Sequence, residues 1–235
     1  HALFKLPKDL YVSSEGQGVW EDIGVYWDNF IQPLLGRGPE GRALSAQLFN
    51  GRSTLHRQCS GCNQENVSHV DYDVLQLRFP ASRSLFDTLL RIFNDGIKSS
   101  TPPVTCPFYP SAEERQANGI SLQALLNAHA PAPLDVTVRV REFGIVLPIQ
   151  IARDGSNLNA DLSVPECFSC PNGMYVLNSA VVYDNGHYLT VVRQPSCNWV
   201  LLDDTRISSI TKEAAFSHIA RSSMFFYSRA WPEPD

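Results

Sequence analysis

Apolar residues follow a helical period in the first part of the chain and a strand-like period after it. Aromatic and aliphatic residues recur at helical spacing from Val19 to Leu35, and the pattern stops around Pro33 and Gly36, which predicts a helix. The segment 36–41 is rich in glycine and proline and predicts a turn. From Leu48 to Phe79 apolar and polar residues mostly alternate, which is typical of antiparallel strands.

A second helix is predicted downstream of these strands. Apolar residues at helical spacing run from Ser84 to Phe93, with an N-cap at Ser82 or Ser84 and an end near Gly96. Several prolines and a Ser-Thr cluster follow in Lys98–Glu113, which indicates a surface insertion.

The remaining pattern predicts a strand-rich second half. A short amphipathic helix is predicted at Ser121–His129, before Pro131. From Leu134 onward strands dominate, with one helix around Lys212–Arg221. A few helices combined with many strands indicate an α+β chain, and 235 residues can bury a substantial core.

Composition narrows the class of protein. The formal net charge of −5 disfavours nucleic-acid binding, because neutralising phosphates requires clustered Lys and Arg. No apolar run has the length of a membrane span, and His1–Leu10 lacks the apolar core of a signal peptide. The six cysteines include two CxxC spacings, which favours a reduced, intracellular setting, cytoplasmic or nuclear, over a disulfide scaffold.

Residues capable of chemistry concentrate between Tyr175 and Asp204. Two or three apolar strands carry a Gly186-His187-Tyr188 turn, and Asp203 and Asp204 follow at the end of the next strand. A carboxylate at one strand end can orient a histidine at the neighbouring one as a general base. Spacing alone leaves an alternative open, in which His187 is a turn residue and the Asp pair caps a loop.

This segment resembles the histidine box of the ubiquitin-specific proteases, papain-like cysteine deubiquitinases built from a thumb, a palm and fingers. The resemblance rests on the apolar run from Tyr175, the Gly-His-Tyr triplet, Trp199, and two acids after a three-residue apolar gap. Other segments resemble the family in the same order along the chain: Ala46–Gly51 with Cys59–Cys62, Val74–Pro80, Ser84–Leu90, Leu147–Arg153, Leu162–Pro165 and Met224–Arg229.

The resemblance implies a ubiquitin-specific protease fold with an antiparallel β palm and fingers and a truncated helical thumb. It implies a single domain over residues 1–235, with residues 1–45 as a remnant of the thumb. Residues 46–165 would form fingers and palm strands with an insertion at about 98–133, and residues 166–235 the palm with the His/Asp box.

The resemblance also assigns roles to single residues. It makes His187 the general base, Asp203 the acid that holds the imidazole tautomer, and Asp204 an assistant at the oxyanion or the deacylating water. Gly186 and Tyr188 would contact the substrate tail, and Gly186 would do so without a side chain in the way. The implied partner is ubiquitin or a ubiquitin-like protein, and the short loop before Gly186 leaves the choice of modifier open.

The family's nucleophile box, Asn-x-Gly-Asn-Thr-Cys, has no counterpart in this sequence, whose first cysteine is Cys59. We therefore expect one of three functions. The chain hydrolyses ubiquitin or ubiquitin-like conjugates with a catalytic cysteine supplied by a segment upstream of His1, or it is an inactive pseudoprotease that serves as a binding module or scaffold for a partner protein. A zinc-ribbon adaptor is a third alternative.

Zinc is the only cofactor that the sequence raises, and none is required for the predicted hydrolysis. Cys59/Cys62 and Cys167/Cys170 would by number form a four-thiolate site. The resemblance, however, places the second pair on a palm strand and not at the finger tips. We therefore expect the structural zinc to be lost, with Cys59 and Cys62 as the remaining candidate ligands and Cys167 and Cys170 as packing residues.

Overall fold

The computed structural model describes residues 38–100, 133–153, 156–157, 159–184 and 187–230. These ranges contain a mixture of helices and strands in which strands dominate, as predicted. The helices are α1 Gly38–Phe49, α2 Leu85–Asn94 and α3 Lys212–Ile219. The strands are β1 Gly51–Cys59, β2 Glu65–Tyr72, β3 Leu75–Arg78, β4 Ile97–Ser100, β5 Leu134–Glu142, β6 Val146–Ala152, β7 Cys167–Cys170, β8 Gly173–Asp184, β9 His187–Arg193, β10 Trp199–Asp203, β11 Arg206–Ile210 and β12 Ser222–Arg229.

Several predictions fall outside the described residues. These are the helices at 19–35 and 121–129, most of the insertion at 98–133, and Gly186. The division into a thumb remnant, fingers and palm therefore stays a prediction.

The larger sheet has eight strands in the order β11-β10-β9-β8-β12-β6-β3, and β7 pairs with β8 beside this path. All pairs are antiparallel except β3 with β6, which are parallel. The prediction of antiparallel strands through Phe79 is therefore wrong for β3. Alternation reports which residues face the core, and it carries no information on the direction of the neighbouring strand.

The smaller sheet has four antiparallel strands in the order β2-β1-β5-β4. Its edge strand β4 pairs with β5 from Ile97 to Ser100, so the start of the predicted insertion belongs to this sheet. In β2 no residue is fully buried, which indicates that this sheet packs less of its surface than the larger one does.

The core lies mainly on the larger sheet and is rich in aromatic side chains. Phe143, Phe168, Tyr175 and Tyr227 are each no more than 5% exposed and contact one another through edge and stacked ring pairs. Trp199 of β10 meets Phe216 of α3 edge to face, with ring centroids 5.7 Å apart. Such pairs add to the hydrophobic stabilisation from area burial.

Helix α2 confirms the second predicted helix. Leu85, Leu89 and Ile92 form its buried face, and Ser84 is the N-cap, with its side chain accepting a hydrogen bond from the Asp87 backbone N–H. The helix ends before Gly96, whose φ of +77° suits glycine. The predicted helix near Lys212 is also confirmed as α3, with Thr211 as its N-cap.

The predicted turn at 36–41 is wrong from Gly38 onward, because helix α1 begins there. Pro39 suits the first turn of a helix because its missing N–H has no partner there in any case, and Glu40 favours the same end electrostatically. No residue of α1 is buried, so the helix lacks the apolar stripe that would have revealed it in the sequence.

Candidate functional site

The site is built where β9 begins and β10 ends. The two strands are antiparallel, with Thr190 opposite Leu202, so the next residue outward on β10, Asp203, lies diagonally across from His187 on the same face of the sheet. In this arrangement His187 Nε2 and Asp203 Oδ1 lie 2.8 Å apart, within hydrogen-bond distance.

The core holds both strands in place behind this pair. Leu189 and Val191 follow His187 on the same face of β9 and are buried, at 9% and 0% exposure. On β10, Trp199 is 2% exposed and packs on α3. The imidazole and the carboxylate therefore project from the end of a packed sheet, which limits the geometries that they can adopt.

The pair is partly open to solvent. The side chains of His187 and Asp203 are 37% and 43% exposed, so a second molecule can approach them. Among the described residues, only Asp203 is hydrogen-bonded to the imidazole, and it contacts Nε2. A carboxylate there accepts a hydrogen bond from Nε2–H, and this tautomer leaves Nδ1 with a lone pair that can take a proton from a nucleophile.

Asp204 lies beside this pair in the two-residue connection from β10 to β11. Its φ is 51°, a left-handed conformation that Asp tolerates better than most residues, and it is exposed. His187, Asp203 and Asp204 each contribute one side-chain nitrogen or oxygen atom to a group in which all three atoms lie within 4.8 Å of one another. The left-handed turn by itself favours Asp at position 204. The closeness of Asp204 to the imidazole is also compatible with its expected role at the oxyanion or the deacylating water.

Tyr188 and Asp184 complete the surroundings of His187. Tyr188 packs on Tyr183 across β8 and β9, with ring centroids 5.1 Å apart, while Gly186 lies outside the described residues. Asp184 is the cross-strand partner of His187. Sequence reasoning missed this acid, although the connecting Asn-Gly dipeptide favours a two-residue hairpin loop and would have indicated the register.

The described cysteines of the larger sheet lie far from His187. Cys167 and Cys170 pair with β8 near its start, and Cys167 is opposite Val176, eight residues before Asp184. Eight residues of strand span roughly 26 Å. Cys197 lies in the turn at the other end of β9, as its position in the sequence predicts.

The cysteine pairs do not fit a four-thiolate zinc site. Cys167 and Cys170 lie on one regular strand, where residues three apart point to opposite faces and cannot hold the same ion. Cys59 ends β1 in the smaller sheet, with Cys62 in the following turn, so zinc binding by this pair stays a prediction.

The only helices described, α1 to α3, are too short or too polar to cross a bilayer.

Comparison with known proteins shows the fold. No family model matches the sequence, and no curated protein matches it. A solved structure does match: the SAGA DUB module of Ubp8, Sgf11, Sus1 and Sgf73 bound to monoubiquitin, with a TM-score of 0.63 over 90% of this chain and 15% sequence identity. The match covers 49% of that chain, so the present chain spans about half of its length. The chain therefore has a fold like that of the ubiquitin-specific protease Ubp8.

Proposed function

We propose that this chain is a ubiquitin-specific-protease-like domain in which His187 and Asp203 serve the thiol-dependent hydrolysis of ubiquitin or ubiquitin-like conjugates. The observation that carries the proposal is the 2.8 Å contact between Nε2 and Oδ1, on a pair of side chains open to solvent. The exposure lets a substrate reach the imidazole, and the hydrogen bond fixes the orientation of the ring.

The proposed mechanism begins with proton transfer from a cysteine thiol to His187 Nδ1. The thiolate attacks the isopeptide carbonyl, and the imidazolium then protonates the leaving lysine amine. Water hydrolyses the resulting thioester after the imidazole has taken its proton. Throughout, Asp203 holds the Nε2–H tautomer and stabilises the imidazolium, while Asp204 assists at the oxyanion or the attacking water.

The thiol in this mechanism belongs to a segment outside the described residues. The described cysteines of the larger sheet lie at the opposite ends of β8 and β9 from His187. We assign the nucleophile to a cysteine box like the family's Asn-x-Gly-Asn-Thr-Cys, which has no counterpart in this sequence.

Ubiquitin is the proposed partner because the similar solved structure contains monoubiquitin. In this proposal the eight-stranded sheet serves as the palm and the four-stranded sheet as the fingers, with residues 1–45 contributing a remnant of the thumb. Gly186 and Tyr188 would contact the C-terminal tail of the modifier beside His187.

A second candidate function is an inactive pseudoprotease that binds ubiquitin or acts as a scaffold. The distance of the described cysteines from His187 favours it, and the similar solved structure is an assembly that contains Sgf11, Sus1 and Sgf73. A zinc-ribbon adaptor is disfavoured because Cys167 and Cys170 point to opposite faces of β7.

The test uses the whole polypeptide in which this chain occurs and a ubiquitin probe with an electrophilic C-terminus. We expect a covalent adduct through a cysteine. His187→Ala should slow its formation by about 10²- to 10⁴-fold, the usual contribution of a general base. Asp203→Asn should also slow it, and imidazole nitrogen chemical shifts should then report loss of the Nε2–H tautomer.

Binding of unmodified monoubiquitin is the matched control, and it should change little in both variants. An adduct that forms at the normal rate in His187→Ala removes this residue from the mechanism. Absence of any adduct from the wild-type protein, with monoubiquitin binding intact, identifies the protein as a pseudoprotease.

A further inference from the structure

A polar cleft lies on one face of the four-stranded sheet, away from the His187 site. It has a volume of about 270 Å³. Its lining consists of two arginines, two threonines, a histidine and one valine: Thr54, His56, Val67, Thr137, Arg139 and Arg141. None of these lining residues is acidic.

The strand register explains why these side chains meet. Thr54 is opposite Arg139, and His56 is opposite Thr137 on β5 and Val67 on β2. Cross-strand partners share a face of the sheet, and so do residues two apart on one strand. Arg141 leans over the same face, because its Nε donates a hydrogen bond of 3.1 Å to Thr54 Oγ1.

Three acids lie on this face, and none of them pairs with Arg139 or Arg141. Asp71 pairs with Arg52 at 3.7 Å, and Glu65 contacts His56 at 3.3 Å. A third acid, Asp135, lies at the margin opposite Gln58.

Positive charge in the cleft therefore remains available to a ligand. Arg139 and Arg141 form no ion pair with any described residue, and both are exposed. Lys98 of β4 is opposite Thr137 and extends the positive charge toward the sheet edge. The cleft is thus locally basic on a chain whose formal net charge is −5.

We propose that this cleft is a docking site for an acidic segment of a partner protein, whose carboxylates bind Arg139 and Arg141. The planar guanidinium group presents paired donors that match a carboxylate, and the half-buried Thr137 offers its hydroxyl for a further hydrogen bond. The lining residues come from three neighbouring strands, β1, β2 and β5, so an extended peptide can contact several of them at once.

The experiment measures binding of a fluorescent oligoglutamate peptide to the full chain by fluorescence polarisation. We expect Arg139→Glu to weaken binding by about tenfold, because it replaces attraction by repulsion at the centre of the cleft. The matched control is Arg57→Glu, which makes the same charge change on the opposite face of β1, where Arg57 faces Val136. The control should change binding less than about twofold.

Three results would overturn the proposal. One is absence of oligoglutamate binding by the wild-type chain, and another is an equal loss in Arg57→Glu, which would indicate attraction by total charge alone. The third is tighter binding of an oligothymidylate with the same dependence on Arg139, which would identify a nucleic-acid surface. The hydrolase proposal is tested by His187→Ala and this one by Arg139→Glu against Arg57→Glu, so failure here and failure of the hydrolase proposal are distinguishable.

Discussion

Asp204 combines a backbone requirement with a proposed chemical role, and one substitution separates the two. Asn tolerates a positive φ about as well as Asp does, so Asp204→Asn should keep the hairpin and the thermal midpoint while removing the charge. If Asp204 assists the deacylating water as a base, turnover of a ubiquitin conjugate by the whole polypeptide should fall by about 10²-fold. Full turnover in this variant would leave Asp204 as a turn residue only.

The pairing of His187 with Asp203 shows which features of the site could be predicted from the sequence. Two apolar strands separated by a short turn predict that their ends meet, and the observed register brings the two groups to 2.8 Å. The side-chain exposure and the left-handed backbone at Asp204 could not be predicted, because both depend on how the hairpins twist against α3 and the core. Asp184 was not predicted because its pairing with His187 depends on the register of the hairpin formed by β8 and β9.

Helix α2 allows a direct test of the predicted N-cap. Ser84 Oγ accepts a hydrogen bond of 3.2 Å from the Asp87 N–H, whereas Ser82 Oγ contacts only the Ser84 N–H, at 3.4 Å and outside the helix. Ser84→Ala should therefore lower the free energy of unfolding by about 1 kcal/mol in urea denaturation. Ser82→Ala is the control and should cost clearly less. Equal losses would show that the two serines cap the helix together.

The described helices differ in how readily the sequence predicts them, because they differ in their apolar stripes and their capping residues. Helix α2 has an apolar stripe of Leu85, Leu89 and Ile92 and a serine cap, and both signals are local. Helix α1 buries no residue, and its Gly-Pro start is equally typical of a turn. The strands were predicted from alternation, but the parallel pairing of β3 with β6 depends on long-range topology.

Three tyrosine hydroxyls donate hydrogen bonds to backbone carbonyls that are distant in the sequence. Tyr72 donates to Glu142 O at 3.0 Å, Tyr175 to Gly144 O at 2.8 Å and Tyr227 to Pro165 O at 2.8 Å. The first contact lies within the smaller sheet, and the other two tie strands β8 and β12 of the larger sheet to loop residues. Burial raises the pKa of all three phenols above the ordinary value of 10.0, and for Tyr175 the neighbouring Arg229 partly offsets this effect.

Alkaline unfolding should follow from these raised pKa values. A group whose pKa is higher in the folded state contributes its full stability below the unfolded value, here about 10, and loses it as the pH rises toward the folded value. We therefore expect the free energy of unfolding to fall above about pH 10. Absorbance from the phenolates of these tyrosines should appear only at the pH at which the circular dichroism of the folded protein is lost. Tyr227→Phe should remove one of these protons, so its unfolding free energy should depend less steeply on pH even though the lost hydrogen bond lowers stability at neutral pH by about 1 kcal/mol. Complete phenolate formation with an unchanged circular dichroism spectrum would contradict this account, because hydroxyls that hold the segments together cannot ionise while the fold persists.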